Sequence, residues 1–149
     1  MNRDFVEMLA ALSAAGVEFL IVGAYALAAH GLPRATGDID IWIRLTRENA
    51  ERLMAAVQTF GAPLFGLTIE DLLRSDTVFQ IGVAPNRIDI LTGITGVGFE
   101  EAWPNRLTVT IDDRVVPVIG LAELVRNKAA AGRPKDQADL IWLRERTKS

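Results

Sequence analysis

The sequence contains no cysteine and only one histidine, His30, among its 149 residues. Without cysteine there are no disulfides or thiolate metal sites, and a single histidine excludes a histidine-rich metal centre. No apolar run is long enough to span a membrane, and residues 1–4 open an amphipathic segment instead of a signal peptide. We therefore expect a cytoplasmic protein with no membrane partner.

Basic charge is also scarce, since the formal net charge is −3 and the pI is about 5.2. The imbalance is uneven, because residues 126–149 carry +4 and residues 1–125 carry −7. An acidic chain gives little support for extended DNA or RNA binding, which requires a broad basic face. The basic C-terminal part is either an attractor for an anionic ligand or a solvated tail. The length predicts a single domain over residues 1–149.

Three aspartates lie within apolar, strand-like segments. Asp38 and Asp40 alternate with isoleucines in residues 37–43, and Asp89 lies in residues 87–91. Side chains of a strand alternate between faces, so Asp38 and Asp40 share one face. Two carboxylates about 4 Å apart repel by roughly 4 kcal/mol at an effective dielectric of about 20, so the pair needs cations. Mg²⁺ or Mn²⁺ suits these oxygens; aspartates that only cap a turn are the alternative.

A strand, a glycine and a helix precede the aspartate pair. Residues 17–22 are short, apolar and β-branched, and Gly23 leads into the helix-forming residues 24–31. Free N–H groups at such a helix start face an anion, although a glycine there also serves packing alone. The next strand returns Asp38 and Asp40 to this turn. The pattern predicts a phosphate cradle and metal ligands at neighbouring strand ends.

Cationic residues flank this arrangement. Arg34, just before the aspartates, is a candidate phosphate clamp because its guanidinium offers a fixed fork of donors; a solvated loop charge is the alternative. Near the C-terminus two helices are predicted, with Gly132 ending the first and Pro134 opening the second. Lys135 can pair with Asp139 four positions later.

The order of these segments resembles a minimal nucleotidyltransferase of the DNA polymerase beta superfamily. Among its branches, the chain is most similar to the small prokaryotic one with AbiEii-type toxins and lincosamide nucleotidyltransferases. The resemblance extends from about residue 19 to residue 143, and the residues that carry it are 22–24, 30–40, 87–91 and 128–140. The ordered combination is much more specific than any one part.

The resemblance implies a role for each matching residue. Asp38 and Asp40 would bind two catalytic Mg²⁺ or Mn²⁺ ions, and Asp89 would complete the metal site and help deprotonate the acceptor hydroxyl. The implied reaction moves a nucleoside monophosphate from an NTP to that hydroxyl and releases pyrophosphate. The residues implied to bind the nucleotide are Gly23, Ala24, Arg34, Lys128, Lys135 and Asp136.

One departure from the family pattern concerns the turn after Gly23. Family members usually have Gly-Ser or Gly-Gly there, whereas this chain has Ala24 and lacks the hydroxyl. The alternative to an active enzyme is a catalytically weak or inactive protein of this fold that binds a nucleotide or a partner, such as a toxin–antitoxin component with an antitoxin-like protein. A metal-dependent phosphohydrolase is less favoured without a histidine-rich site. The acceptor stays open among a small molecule, a protein and an RNA end.

The remaining segments predict an α/β (α+β) fold with a mixed sheet, helices mainly on one side and a C-terminal helical pair. Packing is the favoured role for His30 and Trp42, and residues 93–98 are predicted to form a mobile rim over the site. Helices are expected at 4–15, with Asp4 as the cap, 47–60 and 68–74, strands at 78–83 and 87–91, and a hairpin at 107–119 that turns at Asp112 and Asp113.

Overall fold

The computed structural model describes residues 1–32, 37–83 and 85–148 of the chain. Six strands of this part form one mixed sheet. They are β1 (Phe19–Val22), β2 (Ile39–Ile43), β3 (Val78–Ile81), β4 (Ile88–Leu91), β5 (Leu107–Ile111) and β6 (Arg114–Val118). The order across the sheet is β3-β4-β2-β1-β6-β5.

Six α-helices accompany the sheet in the described residues. They are α1 (Arg3–Ala14), α2 (Gly23–Ala29), α3 (Arg47–Phe60), α4 (Phe99–Ala102), α5 (Leu121–Ala131) and α6 (Pro134–Thr147). The helix predicted at residues 68–74 is reduced to a 3₁₀ turn, Asp71–Leu73. None of the described helices combines the length and the apolar character needed to cross a membrane.

The bounds of two predicted elements need correction. Asn2 caps α1, because its side-chain oxygen accepts the Asp4 N–H at 2.7 Å, so the prediction that Asp4 is the cap was wrong. β3 ends at Ile81, two residues early, because Gly82 follows with a φ of +80° that breaks the extended backbone.

Strand direction brings three chain segments to one edge of the sheet. β1 runs antiparallel to β2, and β2 runs parallel to β4. The C-terminal end of β1 therefore lies beside the N-terminal ends of β2 and β4. The chain passes from β1 directly into α2 at this edge.

The two faces of β2 have different surroundings. Ile39, Ile41 and Ile43 are fully buried and belong to the same core cluster as the apolar residues of α1 and α3. Removing each such side chain from water contributes roughly 1.5–3 kcal/mol, which fixes the register of β2. Asp40 and Trp42 are thereby held on the opposite face.

The predicted fold class, an α/β fold with a mixed sheet and a C-terminal helical pair, is confirmed. The hairpin of β5 and β6 turns at Asp112 and Asp113, as predicted. Both residues have positive φ, +47° and +65°, as in a type I′ turn, which favours short polar side chains.

Candidate active site

Three carboxylates meet where β1 ends and β2 and β4 begin. The parallel register of β2 and β4 places Asp40 directly opposite Asp89, which is only 7% exposed. Asp38 lies one residue before β2 and lines the same cavity as the other two. The pairing of two adjacent parallel strands therefore brings together Asp40 and Asp89, which lie 49 positions apart in the sequence.

The pKa of Asp40 is raised in this cluster. Burial, followed by the charges of Asp89 and Asp38, raises the pKa of Asp40 to about 6, although Arg87 acts in the opposite direction. Ionisation of Asp40 is therefore harder than that of an ordinary aspartate, and a further cation at the cluster would make it easier.

Gly23 begins α2 directly against Asp40. Its φ of +71° is a conformation that side chains with a Cβ rarely adopt, and a Cβ at this position would collide with Asp40 Oδ2. Both the backbone and the neighbouring carboxylate require glycine here. The α2 helix has only seven residues, so its dipole contributes little to anion binding.

Arg87 places a guanidinium among the carboxylates. Its Nε donates to Asp89 Oδ1 at 2.7 Å, and its Nη2 donates to Asp89 Oδ2 at 3.1 Å. The same Nη2 lies 3.3 Å from Asp38 Oδ2, and the Arg87 backbone N–H donates to Asp38 Oδ1 at 3.1 Å. Arg87 was not predicted from the sequence, although its position two residues before Asp89 would place both side chains on one face.

The donor set of this cluster suits a hard divalent cation, which takes carboxylate oxygens. Asp38, Asp40 and Asp89 offer such oxygens from adjacent positions. In the described part of the chain, however, no three acidic, histidine or cysteine side chains are arranged to hold an ion. The bonds of Arg87 give a physical reason, because they engage both oxygens of Asp38 and of Asp89.

A second cluster of charges joins α5 to α6. Lys128 is only 6% exposed, and its Nζ lies 3.1 Å from Asp136 Oδ1 and 3.3 Å from Asp139 Oδ2. Asp136 is fully buried and also accepts the Nε of Arg133 at 2.7 Å and its backbone N–H at 3.2 Å. Burial opposes the ionisation of Asp136, but the bonds from Arg133 and Lys128 outweigh it and hold its pKa at about 2. Asp136 thus holds the side chains of Lys128 and Arg133 in place.

The two clusters line one cavity of about 400 Å³. The carboxylates Asp38, Asp40 and Asp89 contribute the acidic lining, while Gly23 and Ala24 contribute backbone and a methyl group. Its cationic lining consists of Arg87, Lys128, Arg133 and Lys135. The cavity can hold a polyanion on its cationic residues while the carboxylates receive metal ions.

A neighbouring cavity of about 620 Å³ extends from the same carboxylates in another direction. It shares Gly23, Asp40, Asp89, Lys128 and Arg133 with the first cavity. The residues that it adds are uncharged: Val22, Val78, Leu91, Gly93, Ile94, Thr95, Asn127, Ala130 and Ala131. It offers room for the uncharged part of a ligand whose charged part contacts the metal site.

Three solved structures resemble the chain over nearly its whole length. The TM1012 protein of Thermotoga maritima, described as a proposed nucleotidyltransferase, has a TM-score of 0.63 at 17% identity and covers 96% of this chain and 92% of its own. The lincomycin-bound lincosamide adenylyltransferase LnuA has a TM-score of 0.60 at 10% identity, covering 97% and 96%. The antibiotic-resistance factor ANT(2'')-Ia has a TM-score of 0.59 at 17% identity, covering 97% and 91%.

This chain has the nucleotidyltransferase fold. No family model matches its sequence, and no curated protein matches it significantly. The resemblance seen in the sequence is therefore confirmed at the level of the fold.

On this nucleotidyltransferase fold, most residues predicted to bind metal or nucleotide meet at one place. Gly23, Ala24, Lys128 and Lys135 line the cavity with the three aspartates, and Asp136 lies buried behind Lys128. Arg34 lies outside the described residues. Arg133 is a cavity residue that was not predicted; it pairs with Asp136, three positions later, across the start of α6.

Other candidate residues of the nucleotidyltransferase fold have packing roles. His30 Nε2 lies 2.8 Å from the Ile119 carbonyl oxygen and joins the end of α2 to the segment after β6. Trp42 is 1% exposed and packs edge-on against Phe99, with ring centroids 5.1 Å apart. Within the predicted rim at residues 93–98, residues 93–95 line the 620 Å³ cavity, where Asn127 Nδ2 donates to the Thr95 carbonyl at 2.9 Å. The mobility of the rim stays a prediction.

Proposed function

We propose that the protein is a metal-dependent nucleotidyltransferase that moves a nucleoside monophosphate from an NTP to an acceptor hydroxyl. The observation that carries the proposal is that three carboxylates and four cationic residues line one cavity. A triphosphate needs both, because its charge must be neutralised and its reacting phosphorus must be positioned.

The metal ligands of the proposed reaction are Asp38, Asp40 and Asp89. These residues would hold Mg²⁺ or Mn²⁺, which would supply neutralisation of the charge on the phosphates. The acceptor oxygen forms a bond to the α-phosphorus, and the bond from that phosphorus to the bridging oxygen breaks. The acceptor proton passes to Asp89, and pyrophosphate leaves with the bonding electron pair.

The cationic residues hold the departing pyrophosphate. Lys128 is preorganised by Asp136 and Asp139, so it does not need to be ordered when the ligand arrives. Arg133 and Lys135 extend the cationic lining beyond Lys128. The neighbouring 620 Å³ cavity then receives the nucleoside or the acceptor. LnuA is named as a lincosamide antibiotic adenylyltransferase, and ANT(2'')-Ia has also been solved in complex with adenylyl-2''-tobramycin. Both names support a small-molecule acceptor ahead of a protein or an RNA end.

Calorimetric titration of each NTP, with Mg²⁺ or Mn²⁺ present, tests the proposal. We expect metal-dependent binding to the wild-type protein and none to the Asp38→Asn/Asp40→Asn double variant. The Glu51→Gln variant, changed at an exposed position of α3, serves as a folded control. Failure of every NTP to bind to the folded wild-type protein would overturn the proposal.

A second candidate function is nucleotide or partner binding without transfer, as in a toxin–antitoxin component. The engagement of Asp38 and Asp89 by Arg87, and the methyl group of Ala24 beside Gly23, favour it. The two candidates differ in turnover: α-labelled NTP incubated with a hydroxyl-bearing acceptor gives a labelled acceptor, together with pyrophosphate, only if transfer occurs.

A further inference from the structure

We infer that Arg87 is an internal cation that holds the metal site closed until a nucleotide arrives, and so couples metal binding to nucleotide binding. The inference rests on the proposed function and concerns the order in which its ligands are accommodated. Arg87 acts here as a positioning residue, because its effect on the metal passes through Asp38 and Asp89.

The geometry of the guanidinium is the first observation. Arg87 engages both oxygens of Asp89, at 2.7 and 3.1 Å, and reaches Asp38 with a side-chain and a backbone nitrogen, at 3.3 and 3.1 Å. Oxygen lone pairs that accept these N–H groups are not available in full to a metal ion. An incoming ion must therefore displace the side chain of Arg87.

The place of Arg87 in the cavity is the second observation. It lines the same 400 Å³ cavity as Lys128, Arg133 and Lys135, so a displaced guanidinium remains beside the proposed triphosphate position. Its side chain is 30% exposed, compared with 10% for that of Asp89, which leaves it space to move. A polyanion in the cavity gives Arg87 a new partner once the metal has taken the carboxylates.

The two observations together predict cooperative binding. Metal alone replaces Arg87 at the carboxylates but leaves the guanidinium without an anionic partner, whereas metal and triphosphate together replace both partners. By linkage, the nucleotide strengthens metal binding by the same factor by which the metal strengthens nucleotide binding. The coupling should then depend on the side chain at position 87.

Mn²⁺ binding, measured from the electron paramagnetic resonance signal of free Mn²⁺, tests this directly. We expect Arg87→Gln to bind Mn²⁺ alone about tenfold more tightly than wild type, an effect of the size expected for one charge-assisted pair. The further gain on adding a non-hydrolysable NTP should shrink in the variant. The matched control is Lys135→Gln, which removes one positive charge from the same cavity and reports the through-space effect alone.

The outcomes separate the inference from the proposed function. Equal Mn²⁺ affinities for Arg87→Gln and Lys135→Gln, with NTP-dependent Mn²⁺ binding intact in wild type, would overturn the role of Arg87 only. Absence of Mn²⁺ binding in wild type and variants, even with the NTP, would overturn the proposed function as well. If Arg87→Gln does not fold, Arg87→Lys decides, because one ammonium cannot bridge both carboxylates as the guanidinium does. Tighter Mn²⁺ binding than wild type supports the inference, and unchanged affinity contradicts it.

Discussion

At the scale of single residues, Gly23 has a positive φ and lies so close to Asp40 that a Cβ would not fit. We predict that Gly23→Ala lowers the free energy of unfolding by about 2–4 kcal/mol, from positive-φ strain and from displacement of Asp40. The variant should also lose metal-dependent NTP binding. Urea denaturation and calorimetry measure the two effects.

The matched control for this prediction is Gly66→Ala. Gly66 has a similar φ of +80°, but a Cβ there would meet nothing within 4 Å. We expect only the strain of about 1–2 kcal/mol and unchanged NTP binding. Equal losses in the two variants would mean that the contact with Asp40 is unimportant.

Asp40 should make the protein less stable at neutral pH than in mild acid. Its folded-state pKa of about 6 lies above the ordinary value of 3.8, so its contribution to stability is complete below pH 3.8 and is lost as the pH rises through 6. The full shift corresponds to roughly 3 kcal/mol, and its partial exposure lowers the expected effect to about 2 kcal/mol.

We therefore predict that Asp40→Asn, measured in EDTA, is more stable than wild type by about 2 kcal/mol at pH 7.5. The advantage should disappear near pH 4. Urea denaturation at both pH values tests it, with Glu51→Gln as the control for loss of one negative charge. A pH-independent difference would contradict the raised pKa of Asp40.

At the scale of elements, the pairing of α5 with α6 depends on Asp136. Its pKa of about 2 lies below 3.8, so Asp136 contributes stability above pH 3.8 that is lost as the pH falls through 2. We predict that Asp136→Asn and Lys128→Met each lower the free energy of unfolding by about 2–4 kcal/mol at pH 7, because each removes one partner from a buried charge.

The double variant distinguishes pairing from independent packing. We expect Asp136→Asn/Lys128→Met to lose at least about 1 kcal/mol less than the sum of the single losses. Amide hydrogen exchange should show lost protection in α6 in both single variants. Additive losses would contradict an energetic connection between the two side chains.

The same elements show how far the sequence predicts the fold. The predicted bounds of α3, residues 47–60, match the structure, and the shared face of Asp38 and Asp40 was predicted from strand alternation. The pairing of Asp136 with Lys128 needed the tertiary contact between α5 and α6. The local pairing of Arg133 with Asp136 was missed because a charge near a helix start has the same sequence pattern whether it is solvated or paired. The signal for Arg87 was present, since it lies two positions before Asp89, but a strand with two charged residues on one face also fits a solvated edge.

At the scale of the whole molecule, the cavity residues span the chain from Gly23 to Lys135, so ligand binding should stabilise the entire fold. A ligand at one hundred times its Kd contributes about 2.7 kcal/mol to the folded state. For a domain near 150 residues this corresponds to a rise in Tm of roughly 5–10 °C.

We predict this rise for NTP and Mg²⁺ together and at most a small part of it for either alone. The reason is the balance of charge in the cavity: a triphosphate without metal faces three carboxylates, and a metal without triphosphate faces Arg87 and three further cationic residues. Thermal denaturation with NTP, with Mg²⁺ and with both provides the test, repeated with Asp38→Asn/Asp40→Asn. An equal rise in that variant would place the binding elsewhere, and a full rise with Mg²⁺ alone would show that the metal site does not wait for the nucleotide.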